Sequence, residues 1–290
     1  RASWDADELS LYGRFDFILA KDGTPKILEF NADTPTSLLE ASVIQWQWKE
    51  DVFPECDQFN GIHEGLVQSW KDIFPKKGEI YFAGALENNE DTGTLQYLAS
   101  TAMEAGFSTR VLDMQALDLQ NGRFFDPAGE LVNRCFKLYP WEWMVDESPD
   151  GCLAEMEWLE PIWKLVMSNK AILATLYELF PDSPYVLPCY LSRPRSGLFC
   201  KKPVFSREGH NVSVVDIRNW EEHVRIAETE GDYNTGAYVY QEYVEPTVYS
   251  GRYPVIGSWI IGGEAAGIGI RENRMEVTDN LSEFVPHIIG

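Results

Sequence analysis

No stretch of the 290 residues comes near the roughly 20 consecutive apolar positions of a membrane-crossing helix. Lysine and arginine form no cluster, and the formal net charge of −22 repels a phosphate backbone, so nucleic-acid binding is not expected. Cysteine is sparse: Cys56, Cys135, Cys152, Cys189 and Cys200 are odd in number, far apart and without a C-x-x-C pair. That usage argues against a disulfide framework or a zinc site and fits reduced thiols in a cytoplasmic protein. The four histidines (His63, His210, His223 and His287) lack ligand spacing, and no secretory signal is seen.

Aromatic residues are plentiful by contrast. Ten Trp, thirteen Tyr and fifteen Phe in a 44% hydrophobic composition exceed what an acidic disordered chain carries, and the length suffices for two or three lobes with real cores. The acidity is only permissive: it keeps a protein soluble, and it also attracts cationic molecules such as polyamines.

Two short runs, Gly13 to Leu19 and Lys26 to Asn31, flank Lys21-Asp22-Gly23-Thr24, which predicts a β-hairpin. A helix is expected from Pro35 to about Glu50, with Ser37 and Glu40 as a capping box, and another over Gly61 to Phe74. A strand (Ile80 to Leu86), a helix (Thr94 to Ala105) closed by Gly106, and strands at Thr109 to Leu112 and Val132 to Leu138 then form a small α/β lobe. A helix from Asn169 to Phe180 and a turn-rich boundary at Pro181 to Pro188 lead into an α+β lobe. Its strands are Phe199 to Val204, Val212 to Asp216, Tyr238 to Val244, Val255 to Ile261 and Ala265 to Arg271; its helix is Asn219 to Glu230, and Gly262-Gly263 is a turn. The chain divides accordingly into 1–77, 78–145 and 146–290.

A two-residue turn at Asp22-Gly23 pairs Lys21 with Thr24, and the same register sets Phe17 against Leu28, Asp16 against Glu29 and Arg14 against Asn31. Phe15, Phe17, Leu19, Leu28 and Phe30 then share one face, expected to be core, while Arg14, Asp16, Glu29 and Asn31 share the other. Two carboxylates directly opposite each other destabilise a sheet unless a cation neutralises them. With the Asn31 amide oxygen they are hard ligands of the kind Mg²⁺ takes; the alternative is a solvated face with Arg14 as counter-ion.

Two weaker signals lie downstream. Lys202-Pro-Val-Phe-Ser-Arg-Glu208-Gly209 is a strand end entering a Gly-containing loop, which either closes over phosphates or is a plain hairpin connection, and it matches neither a Walker loop nor a dinucleotide fingerprint. Arg271 ends a strand, where a guanidinium meets charge developing in phosphoryl transfer or is simply exposed.

Together, Gly13-Arg14-Phe15-Asp16-Phe17, Leu28-Glu29-Phe30-Asn31-Ala32-Asp33, Asn169-Lys170-Ala171-Ile172-Leu173, Lys202-Pro203, Gln241-Glu242 and Gly267-Ile268-Gly269-Ile270-Arg271 follow the motif order of one family. The chain resembles the synthetase part of glutathionylspermidine synthases over nearly its whole length. Strings such as Phe136-Lys-Leu-Tyr-Pro-Trp-Glu142 look closer still to the family's stand-alone bacterial acid–amine ligases.

The resemblance implies an α+β ATP-grasp fold with an additional small α/β lobe, and an ATP- and Mg²⁺-dependent ligase that joins a carboxylate to an amine through an acylphosphate. It implies Asp16, Glu29 and Asn31 as Mg²⁺ ligands and Arg14 as a catalytic, ATP-contacting arginine. Lys170 and Lys202 fall on the nucleotide phosphates, Glu208 and Gly209 on the phosphate-covering loop, and Gln241, Glu242, Tyr243 and Val244 on the strand that meets adenine. Arg271 corresponds to the arginine that stabilises the transferring phosphoryl group. Thr34 replaces a glutathione-contacting serine at what reads as a helix N-terminus, and Glu90 and Asp91 align with an acidic pair that handles substrates. Glutathione and a polyamine are the partners this implies. Two departures leave the substrates open: Arg207-Glu208-Gly209-His210 stands where the family has Arg-Cys-Gly-Ser, and the 290 residues contain no amidase domain. The family also carries helical residues ahead of the hairpin, so an N-terminal part is expected to be missing. The readings that fit are an acid–amine ligase of unspecified substrates, glutathionylspermidine synthase proper, a nucleotide-binding module without turnover, and an ATP-grasp kinase that stops at a phosphorylated product.

Overall fold

The computed structural model describes residues 1–207, 209–226, 229, 231, 236–275 and 282–290. After a short helix α1 (Ala2–Asp5), the hairpin is present as β1 (Tyr12–Leu19) and β2 (Pro25–Asn31). Asp16 lies against Glu29 and Arg14 against Asn31 as predicted, but by a different route. The turn has three residues: Ala20 N–H donates to Thr24 O, and Gly23 takes φ +82°, so Lys21 does not face Thr24. Phe17 therefore pairs with Ile27 rather than Leu28, and a bulge that leaves Leu28 out of the pairing restores the register at Asp16. The two irregularities cancel.

Burial of the hairpin faces is the reverse of expectation. Phe15, Phe17, Leu19, Leu28 and Phe30 are half-buried, whereas Arg14 and Asp16 are 4% and 2% exposed. The charged face is the covered one, because oppositely charged groups neutralise each other there. The helix expected from Pro35 starts only after Ser37 (φ +65°), as a π-helical segment Glu40–Ile44 running into α2 (Gln45–Val52) without a side-chain cap. Arg14 Nη1 binds Thr36 O and Arg207 Nη1 binds the Thr34 hydroxyl, so residues 33–37 are held as a loop and Thr34 is not at a helix N-terminus.

The amphipathic helix α3 (Ile62–Ile73) buries Ile62, Leu66 and Trp70. There follow β3 (Glu79–Gly84), α4 (Asn89–Glu104), β4 (Ser108–Asp113), a small antiparallel sheet of β5 (Asp118–Gln120), β6 (Arg123–Phe125) and β7 (Leu131–Val132), then β8 (Arg134–Leu138) and, after α5 (Trp141–Glu147) and α6 (Pro149–Cys152), β9 (Glu157–Leu159). The parallel sheet β4-β3-β8-β9 shares one core with α3, α4, Tyr12 and Trp259.

Helices α7 (Lys164–Met167) and α8 (Ile172–Leu179) precede β10 (Cys189–Tyr190), β11 (Gly197–Pro203), β12 (Ser213–Arg218), β13 (Glu221–Ile226) and β14 (Tyr238–Glu242), an antiparallel sheet of order β10-β14-β11-β12-β13. The helix expected at Asn219 to Glu230 is not formed over Glu221–Ile226. Asn219 and Trp220 at φ +55° and +73° turn the chain back, and pairing with β12 outweighs the helix propensity of the Glu and Arg residues. Finally β15 (Tyr253–Ile261), β16 (Glu264–Asn273) and β17 (Glu283–Val285) return to the hairpin in the order β17-β16-β15-β1-β2, with Gly262 and Gly263 at the predicted turn.

Candidate active site

The closing of β15 onto β1 puts Arg14 opposite Trp259 and Asp16 opposite Gly257. A Cβ on Gly257 would lie 2.7 Å from Arg14 Cδ, so the missing side chain is the room in which Arg14 lies across the sheet. Arg14 binds both oxygens of Asp16, Nε to Oδ1 at 2.6 Å and Nη2 to Oδ2 at 2.9 Å, and Arg271 Nη2 reaches Asp16 Oδ2 at 2.8 Å. Asn31 Nδ2 donates to Asp16 Oδ2 (3.2 Å) and Glu29 Oε1 (3.4 Å), so the two carboxylates and the amide converge on one point. A half-turn of the Asn31 amide exchanges its nitrogen for its oxygen, giving three hard oxygen donors that suit a divalent cation such as Mg²⁺.

Two lysines approach, Lys202 from β11 of the other sheet and Lys170 from the turn between α7 and α8. Lys170 Nζ lies 3.1 Å from Glu29 Oε2 and donates to Ser206 O at 2.6 Å. Lys202 Nζ donates to Gln241 Oε1 (2.8 Å) and Leu28 O (3.0 Å), while Gln241 Nε2 donates to Ile27 O (2.8 Å), tying β14 to the hairpin. Burial raises the Glu29 pKa, but Lys170 and Lys202 outweigh it and hold the carboxyl at about 2. Burial lowers the Arg271 pKa and the adjacent Arg14 lowers it further, against the pull of Asp16; Arg14 itself, despite burial, is raised by Asp16.

These groups close one end of a cleft of about 840 Å³, open mouth included, between the two five-stranded sheets. Asp16, Glu29, Lys170 and Lys202 line that end; Leu187, Val212, Val214 and Val255 make the rest apolar. Gln241, Glu242, Tyr243 and Val244 run along the cleft and Gly209 sits at its wall, while Glu208 lies outside the described residues. An apolar slot with a cationic and carboxylate-rich end fits a flat ring system carrying a polyanionic tail.

A second, smaller pocket shares Glu29 and Lys170 with the cleft and holds Thr34, Glu142 and Arg207. Glu90 and Asp91 line neither cavity; they occupy the first turn of α4, where the Asp91 charge acts on Tyr12.

The family model described as glutathionylspermidine synthase preATP-grasp matches residues 1–290. The chain belongs to the glutathionylspermidine synthase family. A Haemophilus influenzae protein described as "Putative acid--amine ligase" is 39% identical over 98% of this chain and 76% of its own length. Trypanothione synthetase of Crithidia fasciculata is 28% identical over 98% of this chain and 48% of its own. The bifunctional glutathionylspermidine synthetase/amidase of Escherichia coli is 26% identical over 100% and 51%. The chain thus spans about half the length of the two synthetases. Among solved structures, a putative gamma-glutamylcysteine synthetase of Methylobacillus flagellatus superposes with a TM-score of 0.66 at 10% identity over 99% of this chain and 82% of that one. A glutathione synthetase-like effector of Globodera pallida gives 0.60 at 12% identity over 100% and 83%. The expected ATP-grasp fold is the one observed, and the glutathionylspermidine synthase family places the chain among carboxylate–amine ligases. No helix among the described residues is long and apolar enough to cross a membrane.

Sequence reasoning missed several parts of the family member's site. Arg207 stands out in the sequence only as part of a departure from the family, and its Nη2 binds Glu142 Oε1 at 2.6 Å. Asp33 is buried, 2.7 Å from Lys137 Nζ and accepting from Trp141 N–H at 2.9 Å, so it anchors the loop that carries Thr34. A lysine inside the apolar strand Arg134–Leu138 was the available signal.

Proposed function

We propose that the cleft binds Mg-ATP and that the protein uses it to join a carboxylate to an amine. The observation that carries this is that Asp16, paired with Arg14 and Arg271, Glu29, paired with Lys170, and the ammonium of Lys202 meet at a cleft that is elsewhere lined largely by apolar side chains. Four cations stand against Asp16, Glu29 and the Glu242 carboxylate further along the cleft, which leaves one positive charge for an incoming polyphosphate.

In this reading Asp16, Glu29 and Asn31 hold Mg²⁺, which neutralises phosphate charge when bound. Lys170 and Lys202 hold the phosphates, Gly209 and Glu208 belong to the loop that covers them, and Gln241 to Val244 meet the base. Gln241 fixes Lys202 by its 2.8 Å bond, so the ammonium is oriented before the nucleotide arrives. Arg271, its charge half-shared with Asp16, neutralises charge on the phosphoryl group as it passes to the substrate carboxylate. The acylphosphate is then attacked by the amine, releasing phosphate and forming the amide. Arg14 holds Asp16 in place through two hydrogen bonds, and the chain need supply no covalent intermediate.

Glutathione and a polyamine are the substrates suggested by the relatives' names, with Thr34 in the smaller pocket as the substrate-facing candidate. ADP release with Mg-ATP, glutathione or other peptides and amino acids, with and without spermidine, tests the proposal. Release with glutathione plus spermidine alone makes the protein a glutathionylspermidine synthase, and release with another pair names the substrates of a related ligase. ATP binding without release for any pair overturns the ligase reading in favour of a nucleotide-binding module.

A further inference from the structure

Pairing between β1 and β2 stops at Arg14–Asn31, the rung at the open end of the hairpin. The pair inside it sets Asp16 against Glu29, and two carboxylates opposite each other push strands apart. Beyond Arg14–Asn31 the two strands no longer pair, so the ladder does not resist that push from the other side.

A side chain takes the place of the next rung. Lys164, the first residue of α7, is buried, and its Nζ donates to Tyr12 O on one strand and to Ala32 O on the other, each at 2.9 Å. Tyr12 stands two residues before Arg14, and Ala32 directly follows Asn31. Two carbonyl oxygens cannot bond each other, but an ammonium between them joins them. Glu160 Oε2, 3.3 Å away, is the third acceptor, one for each ammonium proton, which leaves none for a nucleotide or substrate.

Glu160 in turn grips the start of β1. Fully buried, it accepts from Leu11 N–H (3.0 Å) and Tyr12 N–H (3.1 Å) through Oε1 and from the Ser10 hydroxyl (2.6 Å) through Oε2. The backbone of Lys164 reaches the other wall of the site: its carbonyl accepts from Ser168 N–H (2.8 Å) and the Ser168 hydroxyl (2.9 Å), just before the turn that brings Lys170 to Glu29.

We infer, on the reading of the cleft as a Mg-ATP site, that Lys164, seated by Glu160, is a positioning residue for that metal site. It fixes the spacing between the strand carrying Arg14 and Asp16 and the strand carrying Glu29 and Asn31, so the oxygen donors stand ready before the cation arrives.

Calorimetry of a non-hydrolysable ATP analogue tests it, with Mn²⁺ and with EDTA; Mn²⁺ takes the same oxygen donors as Mg²⁺. The ratio of the two Kd values reports the metal site apart from the rest of the cleft. The wild type should bind the analogue about tenfold tighter or more with Mn²⁺, and Lys164→Met should bring the ratio within about threefold of unity while the Kd in EDTA stays within about threefold. Lys164→Met also strands the Glu160 carboxylate, so Glu160→Gln is added to it, which removes that charge and keeps an acceptor for the Leu11 and Tyr12 N–H groups. Thermal melts of the double variant should recover toward the wild type but the Mn²⁺ ratio should not, because Tyr12 O and Ala32 O still lack their donor; a merely structural pair recovers both. A wild-type ratio in the folded double variant, or an equal loss of binding with Mn²⁺ and with EDTA, overturns the inference alone. Failure of both variants to fold does the same, since it makes the pair structural. A wild-type protein that binds the analogue no tighter with Mn²⁺, or not at all, sinks the Mg-ATP reading and this inference with it.

Discussion

Arg271 Nη2 and Asp16 Oδ2 stand 2.8 Å apart although 255 residues separate them in the chain. The contact spans from β16 across β15 to β1, and Arg14 grips the same carboxylate from its own strand. Asp16 is thus the point at which the two ends of the chain are joined electrostatically, inside a site where a cation and a nucleotide are proposed to bind.

Replacing Arg271 by Ala should lower turnover about 10²–10³-fold while leaving the Kd for ATP within about threefold, because the guanidinium acts on charge that develops in the transition state. ADP release and calorimetry measure the two quantities separately. A variant with full rate would remove Arg271 from the mechanism.

Asp16→Asn removes one charged donor from the proposed Mg²⁺ site. The Mg²⁺ concentration for half-maximal turnover should rise about tenfold. An unchanged magnesium titration would count against the hairpin as the metal site.

The Glu29 carboxyl, held at about 2 against an ordinary 4.5, ties stability to acid. Its folded-state pKa is depressed, so its ion pairs contribute fully above pH about 4.5 and are lost as pH falls toward about 2, on the order of 3 kcal/mol across that window. Lys170→Met should raise the Glu29 pKa and flatten stability between those pH values. Urea unfolding at a series of pH values checks it, and an unaltered pH dependence would show that Lys170 is not the controlling charge.

Lys137→Met leaves the Asp33 carboxylate buried without its cation. Stability should drop by about 3–5 kcal/mol, and the added change Asp33→Asn should recover much of that loss by removing the stranded charge. Urea midpoints of the single and double variants give the answer; equal midpoints would mean that the pair is not coupled.

Gly257→Ala puts a methyl group where Arg14 Cδ now lies, 2.7 Å from the new carbon. Either Arg14 leaves Asp16 or the strands part, so a stability loss of about 1–3 kcal/mol is expected together with reduced turnover. Retention of both would show that Arg14 adapts without loss.

Much of this site was legible because strand alternation is a local property. Whatever else the chain does, residues 14 and 16 share a face, and 29 and 31 share a face, so once a hairpin is granted the four polar groups assemble. The three-residue turn leaves this pairing intact, since the bulge at Leu28 returns the strand to the expected register. The glutathionylspermidine synthase motifs were readable for the same reason: short runs whose chemistry depends on near neighbours.

The remainder depends on contacts between segments far apart in sequence. Periodicity shows which side chains share a face but not which face is covered, and here Arg271 from a C-terminal strand of the same sheet and Lys170 from beyond the small lobe reach over the charged one. Glu221–Ile226 is a strand because β12 lies beside it, and the helix after Thr34 starts late because Arg14 and Arg207 hold the loop. The Glu142–Arg207 pair had no sequence signature, being a meeting of two charges from different lobes. Local geometry is written in a dozen residues; burial and long-range electrostatics exist only after the whole chain has closed on itself.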